Sequence, residues 1–233
     1  MNFHIAIDGP VAAGKGTISR LVAERLGYLY VDTGAMYRMT ALLAVRNNID
    51  ATDEDAIANL VEKSKMEMRT PSEEEKDGRL STIILDGEDV SWKIRTEQVS
   101  LGASKVAKLP KVRKILVQKQ QEIAKDQSVI MEGRDITYRV LPNADLKIFL
   151  TGSDIIRARR RLTQLLTKGE DVSFEQILKD LVKRDKQDMT RNADPLKIVD
   201  DAIVIDTSDL SIQQVAEIIT SKAHVMIENK KNA

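Results

Sequence analysis

The 233-residue chain contains no cysteine, which removes disulfide frameworks and thiolate metal sites and fits a reducing compartment. Its only histidines, His4 and His224, lie near opposite ends, so imidazole metal sites and histidine triads have almost no material. Aromatic residues make up 3%, too few for a base-stacking platform of the single-strand-binding kind. Charge of one sign is also missing. The 36 basic and 36 acidic residues cancel, so no overall field draws the chain to nucleic acid or anionic lipid. Nowhere do eighteen apolar residues run together, and the N-terminal apolar run has no basic lead and stops at Asp8 and Gly9. The expectation is a soluble cytoplasmic monomer with neither nucleic acid nor membrane as partner.

The chain does carry short apolar runs, "FHIAID" (3–8), "YLYVD" (28–32), "SVIME" (128–132), "LKIFL" (146–150) and "AIVID" (202–206), alternating with helical patterns. Continuous apolar strands of this kind suit a parallel sheet covered on both faces. Helical spacing is read over 34–47, 53–65, 103–125, 154–167, 173–191 and 211–227, and a first helix with Ile18, Leu21, Val22 and Leu26 on one face stops at Gly27. The fold class is therefore α/β: one doubly wound domain over 1–233 with a five-stranded parallel sheet and ligands at the carboxyl ends of its strands. Residues 66–96 break the alternation with short alternating strands and Asp-Gly turns at 77–78 and 86–87, reading as a small antiparallel insert. Its acidic run Glu73–Glu75 reads as a solvated loop.

Between the first strand and first helix stands "GPVAAGKGT": Gly9, Pro10, Val11, Ala12, Ala13, Gly14, Lys15, Gly16 and Thr17. Glycines at 9 and 14 let successive amides turn inward as an anion nest, and the helix adds the positive end of its dipole. Lys15 brings a mobile charge to terminal phosphates. The general motif has Ser or Thr directly after the lysine, whereas Gly16 intervenes here. Mg²⁺ is then expected to arrive with ATP and to rely mostly on water and nucleotide, with Thr17 as a contact. Glu132 reads equally as a residue ordering the metal's waters or as a polar strand end.

The helix over 173–191 carries Ile177, Leu181, Arg184, Asp188 and Arg191 on one face, a stripe that turns from apolar to charged. Charges there need mutual pairing or an anionic ligand, and two guanidiniums against one carboxylate leave positive charge over. Arg38 in "DTGAMYR" and Arg134 with Asp135 in "MEGRD" follow strand ends. Convergence of Arg38, Arg134, Arg184 and Arg191 opposite Lys15 would hold a second phosphate in line with the first. "RARRR" at 157–161, between Gly152 and Gly169, is either a basic solvated helix or a lid over 152–170 in which Arg157 and Arg161 add charge to the transferring group.

These motifs together resemble bacterial cytidylate kinases along nearly the whole chain: "IDGPVAAGKGT", "DTGAMYR", "GEDVSWKIRTEQVS", "ASKVAKLPKVR", "GRD", "LKIFL" and "RDKQDMTR". The resemblance implies transfer of the γ-phosphoryl of ATP to CMP or dCMP, with 66–96 as the acceptor-binding insert. Residue by residue, it implies Arg38, Arg134, Arg184 and Arg191 on the acceptor phosphate with Thr33 nearby. It puts Ser104, Arg113 and Asp135 on cytosine and Asp188 on the sugar. Two departures are visible: "ITYRV" follows "GRD" where the family usually has a small Gly-Thr pair, and Glu132 stands where the family often has Asp. A GTPase would carry an Asn-Lys-x-Asp guanine reader, which is absent. A shikimate-type kinase would not need the insert. A weakened nucleotide sensor is the rival from another class, suggested only by "ITYRV".

Overall fold

The structure is a computed structural model that describes residues 2–75, 77–167 and 169–232. Strands β1 (His4–Asp8), β2 (Leu29–Asp32), β6 (Val129–Gly133), β7 (Leu146–Thr151) and β8 (Ile203–Asp206) form a five-stranded sheet ordered β2-β6-β1-β7-β8. Every pairing is parallel, and the register sets the strand ends side by side, Asp8 against Gly133 and Asp32 against Glu132. All the connections that leave those ends emerge on one edge. The expected doubly wound sheet is present.

Period-two alternation divides the core. On β1, Ala6 packs into one cluster while Ile5 and Ile7 enter the other. β6 does the same, with Val129 and Met131 on the first face and Ile130 on the second. The second face is covered by α1 (Lys15–Leu26) and α8 (Ile212–Asn232), through Ile18, Val22, Val215 and Ile219. The first is covered by α2 (Thr33–Arg46), α3 (Glu54–Lys63), α4 (Glu97–Val106) and α5 (Pro110–Ala124). Each fully buried Ile, Leu or Met here contributes about 1.5–3 kcal/mol.

Two local expectations are corrected. The helical pattern over 103–125 is two helices, not one, and the first begins at Glu97 on the Thr96 cap. Pro110 is the reason. Its ring disfavours helical geometry at the preceding residue, and Leu109 sits extended at φ −85°, ψ 109°. The acidic run Glu73–Glu75 is solvated at Glu73 and Glu74 as expected, but it is a 3-10 turn in which Glu75 takes both terminal Arg69 guanidinium nitrogens at 2.6 Å and the Ser72 amide at 2.9 Å. Gly27 ends α1 as expected, left-handed at φ 69°.

The insert is a three-stranded antiparallel sheet of β3 (Met66–Arg69), β4 (Thr82–Leu85) and β5 (Glu88–Asp89). Asp86 and Gly87, at φ 51° and 85°, make the two-residue hairpin. Met66, Met68, Ile83 and Leu85 join the same core cluster as α2–α5, so the insert shares the domain's interior. Helices α6 (Asp154–Leu166) and α7 (Phe174–Thr190) pair through Ala158, Leu165, Ile177 and Leu181, and Val11 and Ala12 pack against that pair.

Candidate active site

The loop after β1 is shaped by what its glycines omit. At Gly9, φ is 153°, and an added Cβ would lie 2.1 Å from the Leu150 carbonyl oxygen. Gly14, at φ 86°, caps α1 without any side chain, leaving the helix's first amides free for an anion. Lys15 is buried and donates to the carbonyl oxygens of Gly9 and Pro10, both at 2.8 Å. Burial and then the charge of Arg134 pull its pKa down to about 7, against the opposing pull of Glu132. Gly16 explains the departure from the general motif: a Cβ there would stand 3.2 Å from Tyr30 Oη and 3.3 Å from Glu132 Oε1. The glycine lets the loop close against the Glu132 carboxylate, whose pKa is raised by burial and by Asp32. Thr17 faces the cavity beside the loop.

The guanidiniums gather at the strand ends. Asp32, last residue of β2, caps α2 through the Ala35 amide at 3.1 Å and holds Arg38 at 2.5 Å with its other oxygen. The Arg38 Nε is buried without a hydrogen-bond partner among the described residues. Arg134, one residue past β6, donates from Nε to Asp188 at 2.8 Å, and its charge acts on Lys15. Thr33 donates to the Glu132 carbonyl at 2.8 Å. Arg184 makes no hydrogen bond or ion pair among the described residues. Desolvation, then the like charges of Arg134, Arg38 and Arg161, hold its pKa below the ordinary value, against Asp188. Lys15, Arg38, Arg134, Arg161 and Arg184 thus share one region with Asp8, Asp32, Glu132, Asp185 and Asp188, and Arg161 and Arg184 are the guanidiniums there without an ion pair among the described residues.

A second group lies alongside. Arg113, on α5, is 2% exposed; it donates to Asp135, to Asp194 at 2.8 Å and to the Ala107 carbonyl at 3.1 Å, and its guanidinium lies 5.4 Å from the Tyr37 ring. Arg191 turns from the end of α7 toward Asp135 at 3.7 Å and donates to the Asp194 carbonyl. Burial raises the Asp135 pKa, and Arg113 and Arg191 oppose it. Ser104, on α4, is half-buried and donates to the Ser100 carbonyl at 3.3 Å, with no bond to Arg113 or Asp135.

The two arginines of α6 differ. Arg157 is buried and engaged on every nitrogen, by the carbonyls of Gly152 at 2.9 Å and Val11 at 2.7 Å and by Asp185 at 2.6 Å and Asp154 at 2.5 Å. Arg161 is exposed and, among the described residues, donates only to Gln164 at 3.3 Å. Next to it, a cavity of about 340 Å³ opens between the loop (Ala12–Gly14), α6 and the start of α8, walled by Ile18, Leu210, Ile212 and Val215. Arg160 is held at its rim by the Thr207 hydroxyl at 2.8 Å and carbonyl at 2.5 Å.

Sequence reasoning missed several residues that organise this site. Asp185 accepts the Val11 amide at 3.0 Å as well as Arg157. The signal was present, since 177, 181 and 185 form a straight i, i+4 row. Asp8, fully buried, accepts the amides of Ile136 and Thr137 and the Thr137 hydroxyl at 2.7–3.0 Å. Asp194 carried no motif.

A phosphate loop facing a group of converging guanidiniums across the carboxyl edge of a parallel sheet defines a phosphotransferase of the P-loop kinase class. The family model described as cytidylate kinase matches residues 5–225. The cytidylate kinase of Caldicellulosiruptor bescii is 47% identical over 97% of this chain and 98% of its own, and that of Bacillus subtilis 44% over 91% and 92%. A solved structure of an uncharacterized protein from Eubacterium ventriosum aligns over 96% of this chain and 99% of its own, with a TM-score of 0.50 and 13% identity, a likeness of fold alone. The chain belongs to the cytidylate kinase family. No helix among its described residues is long and apolar enough to cross a membrane.

Proposed function

We propose that the chain transfers the γ-phosphoryl group of ATP to CMP or dCMP, giving ADP and the diphosphate. The observation that carries this reading is Arg184, a guanidinium with no hydrogen bond or ion pair among the described residues, set in the field of Arg134, Arg38 and Arg161 with Asp188 opposing, close to a buried lysine whose charge is disfavoured by desolvation and by Arg134. Two phosphate-bearing ligands meeting there supply what both groups lack.

In this reading the amides of Gly9–Thr17 and Lys15 hold the donor phosphates, and the apolar cavity beside Arg160 takes the donor base. Arg38, Arg134, Arg184 and Arg191 take the acceptor phosphate, with Thr33 near it and Asp188 toward the sugar. Arg113 and Asp135 read the base, Ser104 joining from α4. A carboxylate accepts from the exocyclic amine of cytosine and opposes the carbonyl of uracil. The attacking phosphate oxygen is already anionic, so no general base is required; catalysis is alignment plus charge stabilisation. Arg161 and Arg184 are the groups free to meet charge on the transferring phosphoryl. Arg157, with all its nitrogens occupied, contributes by holding the loop's Val11 carbonyl. Residues 152–170 act as the lid and 66–96 as the acceptor-side insert.

Mg²⁺ fits the oxygens available. The Thr17 hydroxyl has no protein partner among the described residues, and the Glu132 carboxylate lies against the same turn, so the two would hold the ion through its waters. When bound with ATP it neutralises phosphate charge. The "ITYRV" departure is absorbed by the protein. Thr137 goes to Asp8, Tyr138 donates to the Pro195 carbonyl at 2.5 Å and Arg139 meets Asp194 at 3.4 Å, which supports turnover over a sensor role.

The test is ADP release from ATP and Mg²⁺ with CMP, dCMP, UMP, AMP and shikimate. Turnover is expected with CMP or dCMP far above the others. A panel in which UMP or AMP leads, or in which no acceptor stimulates ADP release, overturns the reading.

A further inference from the structure

Asp194 stands outside every helix and strand, yet it is among the most heavily tied residues near the acceptor side. Its backbone is left-handed at φ 47°, a conformation uncommon outside glycine but open to aspartate. Neighbouring residues tie it in place. Arg191 donates to its carbonyl from Nε at 2.8 Å and from Nη2 at 2.5 Å. The next residue, Pro195, accepts the Tyr138 hydroxyl, and Leu196 is buried with its amide on the Asp188 carbonyl at 2.8 Å. Lys197 lies 4.2 Å from the centre of the Tyr138 ring. The strap is therefore held on both sides of Asp194, and what that achieves is to bring one carboxylate onto Arg113.

Arg113 has five N–H donors in a rigid fork. Its Nε–H goes to Asp194, one Nη1 hydrogen to the Ala107 carbonyl and one Nη2 hydrogen to Asp135. Two donors remain, with the guanidinium carbon 5.4 Å from the centre of the Tyr37 ring. Without Asp194 the guanidinium could turn about its last bond, and the pair it makes with Asp135 would lose its fixed direction.

We propose that Asp194 is a positioning residue for base discrimination: by anchoring Arg113 Nε it sets the plane in which Arg113 and Asp135 present donors and an acceptor to the pyrimidine. The proposal rests on the CMP reading above. Asp194 touches no ligand in this scheme; it acts through Arg113.

Asp194→Gly removes the carboxylate and relieves the left-handed backbone, while Asp194→Asn tolerates that backbone and keeps an oxygen acceptor. For Asp194→Gly the expected result is a KM for CMP raised about tenfold, a CMP-to-UMP ratio of kcat/KM lowered by about tenfold, and kcat and the KM for ATP changed less than about threefold, as expected for losing the charge-assisted hydrogen bond to Arg113, the exposed pair with Arg139 adding little. Asp194→Asn should recover most of the ratio. An unchanged CMP-to-UMP ratio in Asp194→Gly overturns the proposal, as does a loss that falls equally on both acceptors and tracks a lowered Tm. The wild-type ratio is measured alongside: if the unaltered enzyme does not prefer CMP to UMP, it is the substrate reading that fails, separately from Asp194.

Discussion

Arg157 and Asp185 meet at 2.6 Å in the interior, and each also grips the same residue of the phosphate loop, the arginine through the Val11 carbonyl and the aspartate through the Val11 amide. α6 and α7 therefore hold one residue of the cradle through the two peptide groups that flank it. With side-chain exposures of 4% and 10%, this pair is buried enough that breaking it leaves an uncompensated charge.

Asp185→Asn and Arg157→Ala are accordingly expected to lower stability by about 3–5 kcal/mol, seen as a reduced Tm, and to raise the KM for ATP through a loosened loop. Wild-type Tm in both variants would refute the clamp.

Arg184→Ala makes the opposite prediction. Arg184 has no hydrogen bond or ion pair to lose among the described residues, and Arg134, Arg38 and Arg161 repel it against the pull of Asp188, so removing it should leave Tm unchanged or raised. The kcat should drop by about 10²–10³, the scale of one lost charge-stabilising donor. A parallel Arg161→Ala should share the pattern more weakly. Turnover that survives Arg184→Ala would exclude the residue from the chemistry.

Lys15 sets a pH dependence. Its pKa of about 7 lies below the ordinary lysine value, so above pH 7 the empty loop holds mostly neutral amine. A polyphosphate favours the charged form, and binding then takes up a proton. Affinity for a non-hydrolysable triphosphate should be level below about pH 7 and fall as pH rises beyond it. Calorimetry at pH 8 in two buffers of different ionisation enthalpy reads the uptake, which Lys15→Met should abolish. Equal uptake by both proteins would contradict the assignment.

Gly9→Ala tests the loop's geometry. Its Cβ has no room beside the Leu150 carbonyl, and φ 153° disfavours alanine, so β1 and β7 must separate where they are paired. The expected outcome is a loss of several kcal/mol, visible as low soluble yield and a depressed Tm. Gly78→Ala, at φ 94° with open space, isolates the backbone cost alone and should lose only about 1 kcal/mol.

Much of this was open to reading along the chain. The five core strands and the phosphate loop announce themselves because their signals are local: an apolar run bounded by polar ends, or glycines at the turns before a helix. Arg38, Arg134 and Asp135 could be placed because each follows a strand end, and a parallel sheet brings all such ends to one edge. The break at Leu109–Pro110 was equally local but lay hidden inside an uninterrupted helical pattern.

Partnerships were a different matter. That Arg157 would be closed off while Arg161 stays open cannot be told from "RARRR", since both share a helix and differ only in which neighbour the fold sets beside them. Asp8 against Thr137, Asp185 against Val11 and Asp194 against Arg113 are separated by 129, 174 and 81 positions. Local pattern dictates which residues become strand, helix or turn, because backbone sterics and side-chain periodicity act over a few residues. Which charge is neutralised and which is left without an ion pair depends on the packed arrangement of distant segments, because ion pairing and desolvation act through space.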